Sequence, residues 1–275
     1  MEPTFLGTQV HRVEPGEPLL EVGPLERLYE RVFSGVRLVR SRAKVSGALV
    51  IRDRNPVSAF GVLSYQRYTI GGVAHTVWSP PDNLWARAGV QTGDSFSSGD
   101  DVICLSVQAG DRILVNRLVY HFRPARRGES VVFSAHAVEA QPTGDYYLKR
   151  LVGLEGETLT IGDDRIVRID HQPMPSTERG FEWFMNISEI PAAGVYSGYL
   201  NGTIATRYGA GAVAPLFPRS DSSFEVRDAH VFVLGDNSMR SLDSRSWGDI
   251  PERAIVGRPS YIFWPFSDRL GQAPY

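Results

Sequence analysis

The sequence predicts a mostly β protein. Short runs rich in β-branched and aromatic residues recur along it, Gly, Asp, Pro and Asn turns separate them, and helical periodicity is confined to two places. In order, strands are expected at SGALVI (46–51), ILVNRLVY (113–120), SVVFSA (130–135), YYLKRLVGL (146–154), TLTI (158–161), VFVLG (231–235) and SYIFW (260–264). PLERLYERVF (24–33) spaces its apolar residues for a helix, and PPDNLWARAG (80–89) reads as a second, short helix stopping at Gly89. Gly-Asp pairs at 93–94, 99–100 and 110–111 read as hairpin turns. From 170 to 228 Gly, Ser, Pro and Asn accumulate, which suggests a loop-heavy appended module. Two triplets, NIS (186–188) and NGT (201–203), match the N-glycosylation pattern, a match that also arises by chance.

With 275 residues, 42% of them hydrophobic and 22% charged, the chain can bury one large core or two modest ones. A net charge of -2 gives no global basic field for nucleic acid. Arg37, Arg40, Arg42 and Lys44 form a local basic cluster that reads as a solvated strand edge. The single cysteine, Cys104, rules out an internal disulfide and a cysteine zinc site, and in VICLSV it reads as a small buried hydrophobe. No apolar run approaches the ~20 residues that span a bilayer, and MEP offers no signal-peptide pattern. The sequence as given reads as soluble. The six histidines are scattered, and HExxH, GxSxG, GxGxxG and Walker patterns are missing, so no metal or cofactor is expected.

One feature of the strand patterns is chemically unusual. Tyr147-Leu148-Lys149-Arg150-Leu151-Val152-Gly153 sets a lysine inside an apolar strand, where an ammonium loses its hydration if it points inward. Burial then lowers its pKa, and a neutral amine can take a proton from a serine hydroxyl. The strand alone permits the opposite, a solvent-facing Lys149, because strand residues alternate faces. A second run, Gly235-Asp236-Asn237-Ser238 through Ser241, Asp243 and Arg245 to Gly248, follows the strand VFVLG and concentrates acidic, amide, hydroxyl and guanidinium groups. Asp243 and Arg245 can pair and stiffen that loop.

GDNSMRSLDSRSWG (235–248) resembles the last conserved box of bacterial type I signal peptidases, membrane-anchored serine–lysine endopeptidases. YYLKRLVGLEGETL (146–159) is similar to the family's lysine box, and AGDRILVNRLVYHFRPARRGESVVF (109–133) and IPERAIVGRPSYIFWPF (250–266) also fit, in order along the chain. The resemblance implies a signal-peptidase-like β catalytic core, Lys149 as general base and Ser241 as the serine that orients it. Asp243 and Arg245 match the pair that supports the site, Asp236 and Asn237 open the box, and Arg150 stands beside the lysine as further support. Tyr147 and Leu148 fall where the family lines its substrate cleft, in which an extended peptide adds to strands and small pockets select alanine-like side chains.

The departure is the nucleophile. Family members carry it in a Ser-Met-x-Pro-Thr-Leu box a few residues before the Gly-Asp at 110–111, but VICLS there has no such pattern. Ser97, Ser98 and Ser106 are the nearby hydroxyls, each better read as a surface or turn serine. MEPTF does fit, through Met1, Pro3 and Thr4, with Phe5 replacing leucine. The serine is therefore expected immediately before Met1, with a membrane anchor ahead of it and the 8–107 segment inserted between two normally adjoining boxes. The serine's own N–H, part of the family's oxyanion hole, would be missing with it.

The expected organisation is a catalytic core from 1–7, 108–154 and 229–275, an inserted β-containing module at 8–107 and a second, non-catalytic module at 155–228. The implied function is removal of signal peptides from exported preproteins at the outer face of the bacterial cytoplasmic membrane. The expected partners are the signal-peptide region of preproteins and the membrane, with no nucleic acid. The rival is a non-catalytic peptide-binding protein that retains Lys149 and Ser241 without a nucleophile. A self-cleaving repressor-type peptidase is disfavoured by the lack of a helix-turn-helix signal.

Overall fold

The computed structural model describes residues 1–14, 16–59, 63–138, 146–175, 178–182 and 196–274, and the NIS triplet at 186–188 lies outside them. The chain forms two compact units, one from Met1–Gly7, Arg112–Phe263 and Leu270–Tyr275, the other from Thr8–Asp111 and Trp264–Arg269. Both are built on antiparallel strands, as a mostly β sequence requires.

In the first unit, strand Tyr146–Gly153 runs between strands Ser130–Ser134 and His230–Leu234. The sheet continues on one side through Ile255–Trp264 to Gly271–Gln272 and on the other to Ile250–Pro251, while Arg112–Asn116 also pairs with Ile255–Trp264. Side chains alternate between two cores. Val131, Phe133, Leu151 and Val233 pack on one face, whereas Val152, Phe232 and Leu234 pack on the other. Burial on both faces explains why these strands read as nearly unbroken apolar runs.

The second face is covered by a smaller sheet in the order Gln172–Pro173, Val167–Ile169, Thr158–Ile161, Ser223–Glu225. Leu159, Ile161 and Val167 share one core with Val152 and Phe232, so the 155–228 segment is packed into this unit. The approach is close at Gly153, where a Cβ would stand 2.7 Å from a Leu159 methyl and 2.9 Å from Phe232 Cβ. Strand Arg112–Asn116 ends four residues earlier than hydropathy suggests. The Asn116 side-chain oxygen accepts from the N–H groups of Leu118 (2.9 Å) and Val119 (3.2 Å), turning the chain into the short helix Val119–Phe122.

The second unit contains a sheet of Gln9–Arg12, Asp101–Gln108 and Val36–Arg42, and another joining Val57–Ala59, Leu63–Ile70, Gly47–Ile51 and Ser95–Phe96. Val39, Leu49, Tyr68, Ile70 and Leu105 fill its core. The first expected helix forms at Pro24–Tyr29 and widens into a π turn, Glu30–Ser34. The second forms at Leu84–Ala88 and stops at Gly89, whose φ of 66° is left-handed. Asp94 and Asp100 each accept from the N–H three residues earlier, which closes two of the three Gly-Asp turns, whereas the strands on either side of 110–111 belong to different sheets and form no hairpin. Arg40 and Arg42 share Asp101 at a partly exposed strand edge. Cys104 is half-buried rather than buried, and the burial it has raises its thiol pKa. Asn201 of the NGT triplet is fully buried, where its side chain caps helix Gly202–Arg207, so no glycan fits there. Among the described residues no helix is long and apolar enough to cross a membrane.

Phe232 joins the two sheets of the first unit, with its ring 5.8 Å from that of Phe217 and 5.1 Å from that of Phe224. Phe232→Ala is expected to cost about 3–5 kcal/mol in urea unfolding. Removing the exposed Arg219–Asp221 pair by Arg219→Ala should leave the urea unfolding midpoint unchanged.

Candidate active site

Register places the lysine. Lys149 lies opposite Val131, and Arg150 lies opposite Leu234, the last residue of its strand. The chain therefore turns away at Gly235, just past Leu234, and the following loop folds back over Lys149. The side chain is 9% exposed, and Lys149 Nζ donates to Ser241 Oγ at 2.8 Å. Gly235 makes this contact possible: a Cβ there would fall 1.9 Å from Ser241 Oγ and 3.2 Å from Lys149 Nζ. Sequence reasoning missed that glycine's steric role, although a glycine directly after an apolar strand was the available signal.

The loop is held from inside. Ser241 N–H donates to the Asn237 carbonyl at 2.8 Å. Arg245, fully buried, donates through Nε and Nη2 to both oxygens of Asp243 at 2.8 and 2.9 Å. Its Nη1 donates to Ser238 Oγ (2.9 Å) and to the Leu200 carbonyl (3.1 Å), and its Nη2 also reaches the Ser238 carbonyl at 3.1 Å. Asp243 in turn accepts from Gly235 N–H at 2.9 Å, so the loop's two ends are tied together. Ser238, also passed over in the sequence, is a buried link that additionally accepts from Leu200 N–H.

The electrostatics follow from burial. Loss of hydration lowers the Lys149 pKa and outweighs the carboxylates of Asp243 and Asp236, which act to raise it. For Asp243, burial acts to raise the pKa, but the charge and hydrogen bonds of Arg245 win and hold it below the usual carboxylate range.

Arg150 and Asp236 form a second buried pair. Arg150 Nε and Nη2 donate to Asp236 at 3.0 and 2.8 Å, and Nη1 donates to the Gly128 carbonyl at 2.6 Å. Thr4 joins them: its hydroxyl donates to Asp236 Oδ2, accepts from Arg150 Nη2 at 3.3 Å and stands 2.7 Å from the Tyr196 hydroxyl. Three separate sequence boxes thus meet at one point. Phe5 is buried with Ile262 and Ala273, with Met1 and Leu148 packed against them, and Pro3 is half-buried. The Met1 amino group has a lowered pKa, first from burial and then from the charge of Lys149. Tyr147 is half-buried and stacks on Trp247 at 6.0 Å, while Leu148 lies on the Phe5 side. Asn237 is buried, and its side-chain oxygen has no donor among the described residues. Ser97, Ser98 and Ser106 belong to the second unit. Among the described residues no three His, Cys, Asp or Glu side chains gather as a metal site.

The family described as "Signal peptidase, peptidase S26" matches residues 104–264. The chain is 30% identical over 176 residues to signal peptidase I of Leptolyngbya laminosa, covering 61% of this chain and 66% of that protein. It is 29% identical to the probable signal peptidase I-1 of Synechocystis sp., covering 62% and 71%, and 29% identical to signal peptidase IB of Staphylococcus aureus, covering 59% and 73%. The match thus spans just under two thirds of the first relative's own length. A signal peptidase I structure from Enterococcus faecalis V583 aligns with a TM-score of 0.33 at 21% identity, over 50% of this chain and 97% of that one.

Lys149 should leave a signature in stability. Between its lowered folded pKa and the ordinary lysine value of about 10.4, the unfolded chain binds more protons, so stability rises with pH in that window. Lys149→Met removes this slope. The Tm of the variant minus that of the parent is expected to fall as pH rises toward roughly 10, offset by a constant, roughly 1 kcal/mol loss for the hydrogen bond to Ser241. A difference that ignores pH contradicts a buried amine.

Proposed function

The chain belongs to the signal peptidase S26 family, and from that membership and the Lys149–Ser241 contact we propose a serine–lysine endopeptidase that removes signal peptides from exported preproteins. The observation that carries the reading is a buried lysine amine, lowered in pKa, held 2.8 Å from a hydroxyl. Lys149 is the general base and Ser241 fixes the direction of its lone pair. The nucleophile is a serine hydroxyl on the residue ahead of Met1, a position supported by the MEPTF pattern and by the contacts of Thr4 with Arg150 and Asp236.

In the reaction, neutral Lys149 takes the serine proton as Oγ bonds to the scissile carbonyl carbon. The resulting ammonium returns that proton to the leaving amine as the C–N bond breaks, leaving an acyl-serine. Lys149, neutral again, takes a proton from water as its oxygen attacks the ester carbon, then returns that proton to the serine Oγ as the acyl C–O bond breaks. The substrate lies extended beside Tyr147 and Leu148 as an added strand. Asp243 and Arg245 hold the Ser241 loop, and Arg150 and Asp236 anchor the nucleophile segment through Thr4. The work is placed at the outer face of the cytoplasmic membrane, with the anchor on the nucleophile's side of Met1.

The test extends the chain by a serine and its upstream segment and measures cleavage of a preprotein. The extended chain is expected to cleave, and the 275-residue chain is not. In the extended chain Lys149→Ala should lower the rate by about 10²–10⁴, and Ser241→Ala by roughly 10–10² through loss of the orienting bond. The rate should rise with pH until the lowered Lys149 pKa is passed. Lys149-dependent cleavage without the extension moves the nucleophile to an internal serine such as Ser106. An extended chain that binds preprotein and never cuts it favours the non-catalytic reading.

A further inference from the structure

The first unit has a second concave site that the peptidase chemistry does not use. A cavity of about 560 Å³ opens between the turn after strand Arg112–Asn116 and the Glu252–Ala254 turn, a size suited to a small ligand. Tyr120 and Ile255 give it an apolar wall, Arg117, Glu252 and Arg253 supply its charge, and His121 also lines it. Both rims are fixed by hydrogen bonds. Asn116 caps the turn that carries Arg117, while Glu252 N–H donates to the Ala229 carbonyl and Ile255 N–H to the Glu252 carbonyl.

The charges around it are distributed unevenly. The nearby carboxylate Glu129 is buried and already committed, accepting from Arg123 (2.9 Å), Arg258 (3.2 Å) and the Arg126 N–H (2.9 Å). Arg117 and Arg253 form no ion pair among the described residues, so the exposed lining carries two guanidiniums and one carboxylate, Glu252. Flanking the cavity on the same segment as Arg117, Leu118 and Phe122 are 66% and 86% exposed, far beyond what a core needs. Unspent guanidiniums from two elements suit an anion with several equivalent oxygens, and the apolar flank suits a hydrocarbon attached to it.

We propose that this cavity binds a phosphate-ester anion, with Arg117 and Arg253 on the phosphoryl oxygens and Leu118 and Phe122 against the carbon body. An anionic phospholipid headgroup and a soluble phosphate ester share this chemistry. None of the residues belongs to the Lys149 site, so the inference stands apart from the peptidase reading.

The test titrates the full chain with glycerol 3-phosphate by calorimetry and, in parallel, floats it with phosphatidylglycerol vesicles. Binding in at least one arm is expected, weakened about tenfold or more when Arg117→Gln and Arg253→Gln are combined and tightened by Glu252→Gln. Arginine-dependent flotation assigns the lipid source, and calorimetric binding alone assigns the soluble one. No binding in either arm, or a double variant that binds like the parent while melting at the same temperature, overturns the proposal.

Discussion

A primary amine held out of water against a hydroxyl is the constraint on which the rest of this unit depends. An ammonium at that depth is destabilised, and the Lys149–Ser241 bond at 2.8 Å returns only part of what hydration provides. The structure tolerates this because the surrounding fold is over-determined. Lys149 is fixed by strand pairing to Val131, and Ser241 by a loop whose ends are joined through Asp243. Gly235 then allows the two to meet.

Two buried ion pairs flank the amine and act as rivets rather than as sources of stability. Burying ions is expensive, and such pairs persist where every donor and acceptor finds a partner. Arg245 meets that condition, with two carboxylate oxygens, three carbonyls and one hydroxyl around its guanidinium. Arg150 and Asp236 do the same for the opening segment through Thr4. The same fold thereby positions an amine, the loop that meets it and the opening segment that carries Thr4. The Asp243 carboxylate, kept ionised by Arg245, moderates the fall in the lysine pKa without reversing it.

Local chemistry was readable in the sequence, and long-range convergence was not. The β-branched runs mark the strands because packing on two faces demands them, and the box at 235–248 shows its density of polar groups directly. Hydropathy overextended the strand at 113–120 because it cannot see the Asn116 side chain capping a turn. Alternation could not say which way Lys149 points, since both faces of its sheet are covered and only the turn at Gly235 decides what meets it. The meeting of Thr4 with Arg150 and Asp236 joins residues 146 and 232 positions apart, which no window along the chain reports. The resemblance carried the residue assignments, and the geometry supplies a physical reason for each neighbour.

The most direct measurement is the titration of Lys149 itself, followed by NMR of the methylene next to its amine in ¹³C-labelled lysine. The account predicts a midpoint clearly below the ordinary value of about 10.4, and a return toward that value when Gly235→Ala drives Ser241 and the loop off the amine and lets water in. A midpoint at the ordinary value in the parent chain would contradict it.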